Sequence, residues 1–220
     1  MCKKLKELNG KTPADLLELS NQTGAFPIDV AEICYKMGIH LVPFDFNMLD
    51  HSGEAEASGS DLDENKTESD ISTCEEDRDQ ILGAIIVRGD DLAILYKSDD
   101  LENNRRFTIA HEIAHSCLDI EQEIQVPKQN RYHVEFLTDS QNKQKKEKEQ
   151  QADRFARQLL IPAESLRRLI GDSVRVSTKS VPTLAMLFMV SEDVMWKRLL
   201  ELNISVVDRN AKRYAMLREG

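Results

Sequence analysis

Apolar residues recur along this chain with two periods, and the changes between them divide it into elements. Thr12–Leu19 opens with a hydroxyl, a proline and, three residues after Thr12, an acid, the pattern that caps a helix start. A second helical pattern runs from Pro27 to about Met37 and stops at Gly38, and Ile39–Phe44 then reads as a strand. Ile81–Val87 and Leu92–Tyr96 are apolar runs on either side of Arg-Gly-Asp-Asp, which predicts a β-hairpin. Helical spacing returns from about Leu101 or Asn103 to Leu118, and again from Glu149 until Ile161-Pro162 ends it. Tyr132–Leu137 offers one more short strand. Beyond Pro162 three helices are expected: residues 163–170, 182–190, and one capped by Ser191 that runs to about Leu202. The order predicts an α+β fold with a small sheet, a single domain over residues 1–220 whose residues 163–220 form a helical C-terminal subdomain.

Residues 50–79 fit neither period. They hold twelve acids and two bases, Lys66 and Arg78, and twelve less two equals the whole net charge of −10 of the 220-residue chain. With almost no large apolar side chains, such a tract cannot bury enough surface to offset its ordering entropy, so a disordered insertion between two strands is expected. Asp61–Asn65 has the look of a calcium loop, but the required glycine and terminal glutamate are out of place. The acidic balance argues against non-specific nucleic-acid binding by the whole chain. The longest apolar run, Leu184–Val190, is far short of a membrane span, and no apolar leader follows the basic start. Cys2, Cys34, Cys74 and Cys117 show no paired spacing, so free thiols in a reducing cytoplasm are expected, with Cys117 packing rather than ligating.

The candidate chemistry sits in RFTIAHEIAH, residues 106–115. His111 and His115 are four apart, so on a helix both imidazoles reach one metal ion, and Glu112 lies beside them as a base. Phe107, Ala110, Ala114 and Leu118 continue that face, placing the motif on a partly buried amphipathic helix, and the two alanines leave room for an ion and a substrate. A catalytic zinc needs a third protein ligand and an open position. In EQQADRFARQLLIP, residues 149–162, Glu149, Ala152, Asp153, Ala156, Leu159 and Leu160 share one stripe. Glu149 can face the ion, and Asp153, one turn on, can accept a hydrogen bond from a ligating histidine. The extended HExxHxxGxxH variant is excluded, because Leu118 and Glu121 stand where it needs glycine and histidine. Asp119 is carried away along the helix and Glu147 points elsewhere, which leaves Glu149.

These two segments resemble the signature blocks of the ImmA/IrrE family of metallo-endopeptidases. PIDVAEICYKMGIHL, ILGAIIVRGDDLAILY and LAMLFMVSEDVMWKRL extend the resemblance over most of the chain outside residues 50–79. It implies a zincin-like fold, Zn2+ held by His111, His115 and Glu149, and Glu112 as base. Family members often carry a further glutamate where this chain has Gln151. It also implies a protein substrate, a helix-turn-helix repressor that controls a mobile element or stress response. A strand edge beside the motif helix could pair with extended substrate. Tyr96, Tyr132 and His133 are candidate oxyanion donors. A regulator on the same fold without proteolysis, and a zinc hydrolase of small amides, are the alternatives. Residues 184–202 have a helix-turn-helix spacing, but Lys197 and Arg198 are a thin basic supply for DNA, so a packing hairpin is expected instead.

Overall fold

The computed structural model describes residues 2–44, 83–118, 143–171 and 173–207. The acidic tract, its calcium-like stretch, Cys74, Asp119, Glu121, Tyr132 and His133 lie outside the described residues.

Three short helices lead to the sheet: α1 (Lys3–Leu8), α2 (Pro13–Leu19) and α3 (Val30–Met37). Helix α1 was not legible, since six residues with only Leu5 and Leu8 buried give no measurable period. At α2 the cap is complete: Thr12 N–H donates to the Asp15 carboxylate, while the Asp15 amide donates to the Thr12 hydroxyl. Helix α3 corrects the expected start at Pro27. Pro27 follows a cis peptide bond, and Asp29 caps the helix by accepting from the amides of Ala31 and Glu32. Gly38 ends it at φ 66°, a left-handed conformation that costs glycine nothing.

Strands β1 (Ile39–Phe44), β2 (Gly83–Arg88) and β3 (Asp91–Lys97) form one sheet in the order β1-β3-β2. β1 runs parallel to β3, with Ile39 opposite Leu92, and β2 runs antiparallel to it, with Gly83 opposite Tyr96. Helix α4 (Glu102–Leu118) packs across β2 and β3, and helix α5 (Lys143–Leu160) packs along α4. Every residue of α4 from Thr108 to Cys117 is buried. That part of the expected amphipathic helix is thus covered, with the sheet on one flank and α5 on another, while its first turn and Leu118 stay exposed or half-buried. Ala110 and Ala114 on α4, like Ala152 and Ala156 on α5, are fully buried, and such small side chains allow close approach. Helix α5 starts at Lys143, earlier than its apolar stripe, because lysine, glutamine and glutamate are good helix formers without any buried face.

Helices α6 (Ala163–Ile170), α7 (Val181–Phe188) and α8 (Glu192–Glu201) follow. Two three-residue strands, β4 (Arg175–Ser177) between α6 and α7 and β5 (Ser205–Val207) after α8, pair in parallel, too short to show alternation in sequence. Arg106 ties this part to α4: its guanidinium donates to the Met189 carbonyl at the end of α7 and to the Ile28 carbonyl ahead of α3. Among the described residues no helix is long and apolar enough to cross a membrane.

Candidate metal centre

Helical spacing places His111 and His115 one turn apart on α4, and Glu149 and Asp153 one turn apart on the facing side of α5. The two helices bring one ligand atom from each of His111, His115 and Glu149 within 4.8 Å of one another. The edges of this triangle are 3.0 Å between the two Nε2 atoms, 3.2 Å from His111 Nε2 to Glu149 Oε2, and 3.6 Å from His115 Nε2 to the same oxygen. A tetrahedral zinc with bonds of about 2.0–2.1 Å separates its ligand atoms by about 3.3 Å, so the donors fit such an ion in number, type and spacing. Asp153 Oδ1 lies 3.1 Å from His111 Nδ1. An ionised carboxylate only accepts, so Nδ1 carries the hydrogen and Nε2 is turned toward the triangle.

The electrostatics agree. Burial works against the His111 imidazolium, but hydrogen bonds to Asp153 and then Glu149 more than reverse it, raising its pKa to about 9. Burial likewise opposes ionisation of Glu149, and hydrogen bonds from both histidines overcome it, lowering the pKa to about 2. Asp153 is lowered in the same way, burial outweighed by its bond to His111. The cluster is built to hold positive charge between its donors.

Glu112 is buried and its side chain reaches strand β2 of the sheet. A Cβ added at Gly83 on β2 would stand 2.9 Å from Glu112 Oε1, 3.2 Å from its Cγ and 2.5 Å from the Thr108 methyl. Glycine at 83 is therefore what lets the strand lie against the Glu112 side chain. Sequence reasoning missed Gly83, although a lone glycine within an apolar strand run is a signal of close backbone approach. Tyr96 pairs with Gly83, and opposed residues of an antiparallel ladder share a face, so Tyr96 lies on the face that carries α4. Gln151 and Glu147 are exposed, and Cys117 is buried in the core.

Also missed was Arg157, buried on α5, whose Nη1 is 3.6 Å from Asp153 Oδ2 and whose Nε donates to Glu201 of α8 at 2.8 Å. Arg198, read in sequence as half of a basic supply, is buried and bonded to Glu201, while Lys197 pairs with Asp193 at 2.7 Å. Neither cation is arrayed for phosphate, in keeping with a packing hairpin.

Residues 69–200, more than half of the chain, match the Peptidase_M78 family, described as an IrrE N-terminal-like domain. The chain belongs to this family, and its mixed α/β architecture is that of a zincin-like peptidase domain. The family is one of metallopeptidases, which implies a metal ion and a protein substrate. No curated protein matches the chain.

Proposed function

We propose that this protein is a zinc-dependent endopeptidase in which His111, His115 and Glu149 hold the metal, Glu112 is the base, and Asp153 orients His111. The observation that carries the reading is the triangle of donor atoms 3.0–3.6 Å apart, contributed by two separate helices, its two histidines buried beside a buried glutamate. A zinc ion bound there would act as a Lewis acid, polarising the scissile carbonyl and acidifying water. Glu112 takes the proton of the attacking water and returns it to the departing amine as the C–N bond breaks. Its place against β2 puts this proton transfer beside a strand whose outer edge, among the described residues, pairs with nothing. An extended peptide added there runs past Glu112. Tyr96 is the candidate oxyanion donor among the described residues.

The substrate we propose is a helix-turn-helix repressor, in a cytoplasmic setting, by likeness to the ImmA/IrrE endopeptidases. The acidic excess of ten charges in residues 50–79 would attract a basic DNA-binding protein over about a Debye length, acting mainly on encounter rate. Glu112→Gln supplies the test, because it removes a base without removing a ligand. Used as a trap in the native cell, it should capture a repressor that the active enzyme then cuts in a metal-dependent way. Capture of DNA alone, or a captured repressor left whole by the zinc-loaded enzyme, would replace the peptidase with a non-proteolytic regulator.

A further inference from the structure

A chain of alternating charges runs from the metal centre to the C-terminal helices. His111 Nδ1 meets Asp153 Oδ1 at 3.1 Å, and Asp153 Oδ2 lies 3.6 Å from Arg157 Nη1. Arg157 Nε donates to Glu201 Oε1 at 2.8 Å. Glu201 Oε2 accepts from Arg198 Nη1 at 3.2 Å, and Arg198 Nε donates to the Ile161 carbonyl at 3.0 Å. We propose that Arg157 and Glu201 are positioning residues for His111, and that α8 is thereby part of the frame that holds the metal ligand. The inference rests on the metal site proposed above.

The argument turns on how firmly each carboxylate is held. The Asp153 side chain is 42% exposed, so a bond to one imidazole leaves it room to swing into water. Arg157 is one turn along α5, where an i,i+4 pair forms readily, but such pairs at the surface fix neither partner. Here the Arg157 side chain is only 11% exposed and its Nε is committed to Glu201, which leaves the Nη1 edge facing Asp153. Glu201 is in turn anchored from its other oxygen by Arg198. A buried ion network is weak evidence for stability, because well-packed apolar side chains serve as well. What apolar side chains cannot do is set the direction of a carboxylate, and the far end of this one sets the ring of His111.

Zinc affinity of the full chain, measured by competition with a chromophoric chelator at fixed pH, separates this from a tie between helices. Arg157→Met and Glu201→Gln should weaken zinc about threefold to tenfold, less than the roughly 10–100-fold expected for loss of the direct partner Asp153. In an Asp153→Asn background, Arg157→Met should add no further loss, because the residue it acts through is gone. Arg157→Lys keeps the charge but not the fork that spans two carboxylates, and should fall between wild type and Arg157→Met. It carries the same comparison where the larger change does not fold. Unchanged zinc affinity in these variants, with only the melting temperature lowered, would overturn the proposal and leave the metal site standing. So would a loss from Arg157→Met undiminished by Asp153→Asn. A wild-type chain that takes up no zinc would remove the metal reading itself, and this inference with it.

Discussion

The Nε2 atoms of His111 and His115 face each other at 3.0 Å, with Glu149 Oε2 completing the triangle. Without a metal, His111 is already donating from Nδ1 to Asp153, so a bond from its Nε2 to Glu149 requires the imidazolium. In metal-free protein that proton would stand where the cation binds. Its pKa, raised to about 9 from an ordinary 6.5, makes a stability prediction. The contribution is complete below pH 6.5 and disappears as pH rises through about 9. Its ceiling is about 3 kcal/mol, at 1.36 kcal/mol per pH unit. The lowered pKa of Glu149 reports the same contacts and adds nothing further. Chelator-treated protein should therefore lose melting temperature from pH 6.5 to about 7.5, a window below the titration of ordinary thiols. Zinc-loaded protein should not. A flat or rising curve for the metal-free protein would show that the proton is not held in this way.

Removing the donors one at a time should discriminate ligands from neighbours. His111→Ala, His115→Ala and Glu149→Ala should each retain little zinc after dialysis, whereas Glu112→Gln should stay loaded and lose turnover. Asp153→Asn should cost roughly 10–100-fold in zinc affinity or activity. Metal content by atomic spectroscopy alongside peptide cleavage reads all five. A Glu149→Ala protein that still carries a full equivalent of zinc would remove that residue from the proposed ligand set.

The meeting of these side chains was legible to the extent that it is local. His111 with His115, and Glu149 with Asp153, are i,i+4 pairs, and helix geometry alone puts each pair on one face. That the two faces oppose each other depends on burying Ala110, Ala114, Ala152 and Ala156 together, which no single segment announces. The same limit explains the misses. Arg157 reads as an ordinary surface arginine until Glu201 arrives from another helix. The first turns of α5 carry no apolar stripe, so periodicity placed its start too late. At α3, Pro27 looked like a helix opener, but the acid two residues later holds the amides that a cap must satisfy.

Two of the cysteines should be chemically silent. Burial pushes the Cys34 thiol up to about 12, with Asp29 adding to it, and burial likewise raises Cys117 to about 12. At pH 8 such thiols are thiolate to about one part in ten thousand. Reaction with a thiol-specific disulfide reagent, mapped by mass spectrometry, should leave both unmodified in the native protein and modify both in denaturant. Native labelling of Cys117 at the denatured rate would mean that α4 opens, contrary to the burial of Thr108–Cys117.

Gly83→Ala should impair turnover without emptying the metal site. The new methyl would lie 2.5 Å from the Thr108 methyl and 2.9 Å from Glu112 Oε1, distances at which something must move. Thr108 is β-branched and stiff on its helix, so it yields mainly by shifting α4. Glu112 has more rotatable bonds and swings instead, although it is buried and its displacement is what proton transfer cannot tolerate. Overpacking of this kind costs about 1–3 kcal/mol of stability, a modest drop in melting temperature. The larger effect should be on kcat, roughly tenfold or more, with zinc content unchanged because His111 and His115 of α4 meet Glu149 of α5 and not β2. Thr108→Ala placed in the same chain removes the shorter of the two contacts and should recover stability more than activity, since the contact with Glu112 remains. Full kcat in Gly83→Ala would mean that the Glu112 side chain is not held in its working position by this strand.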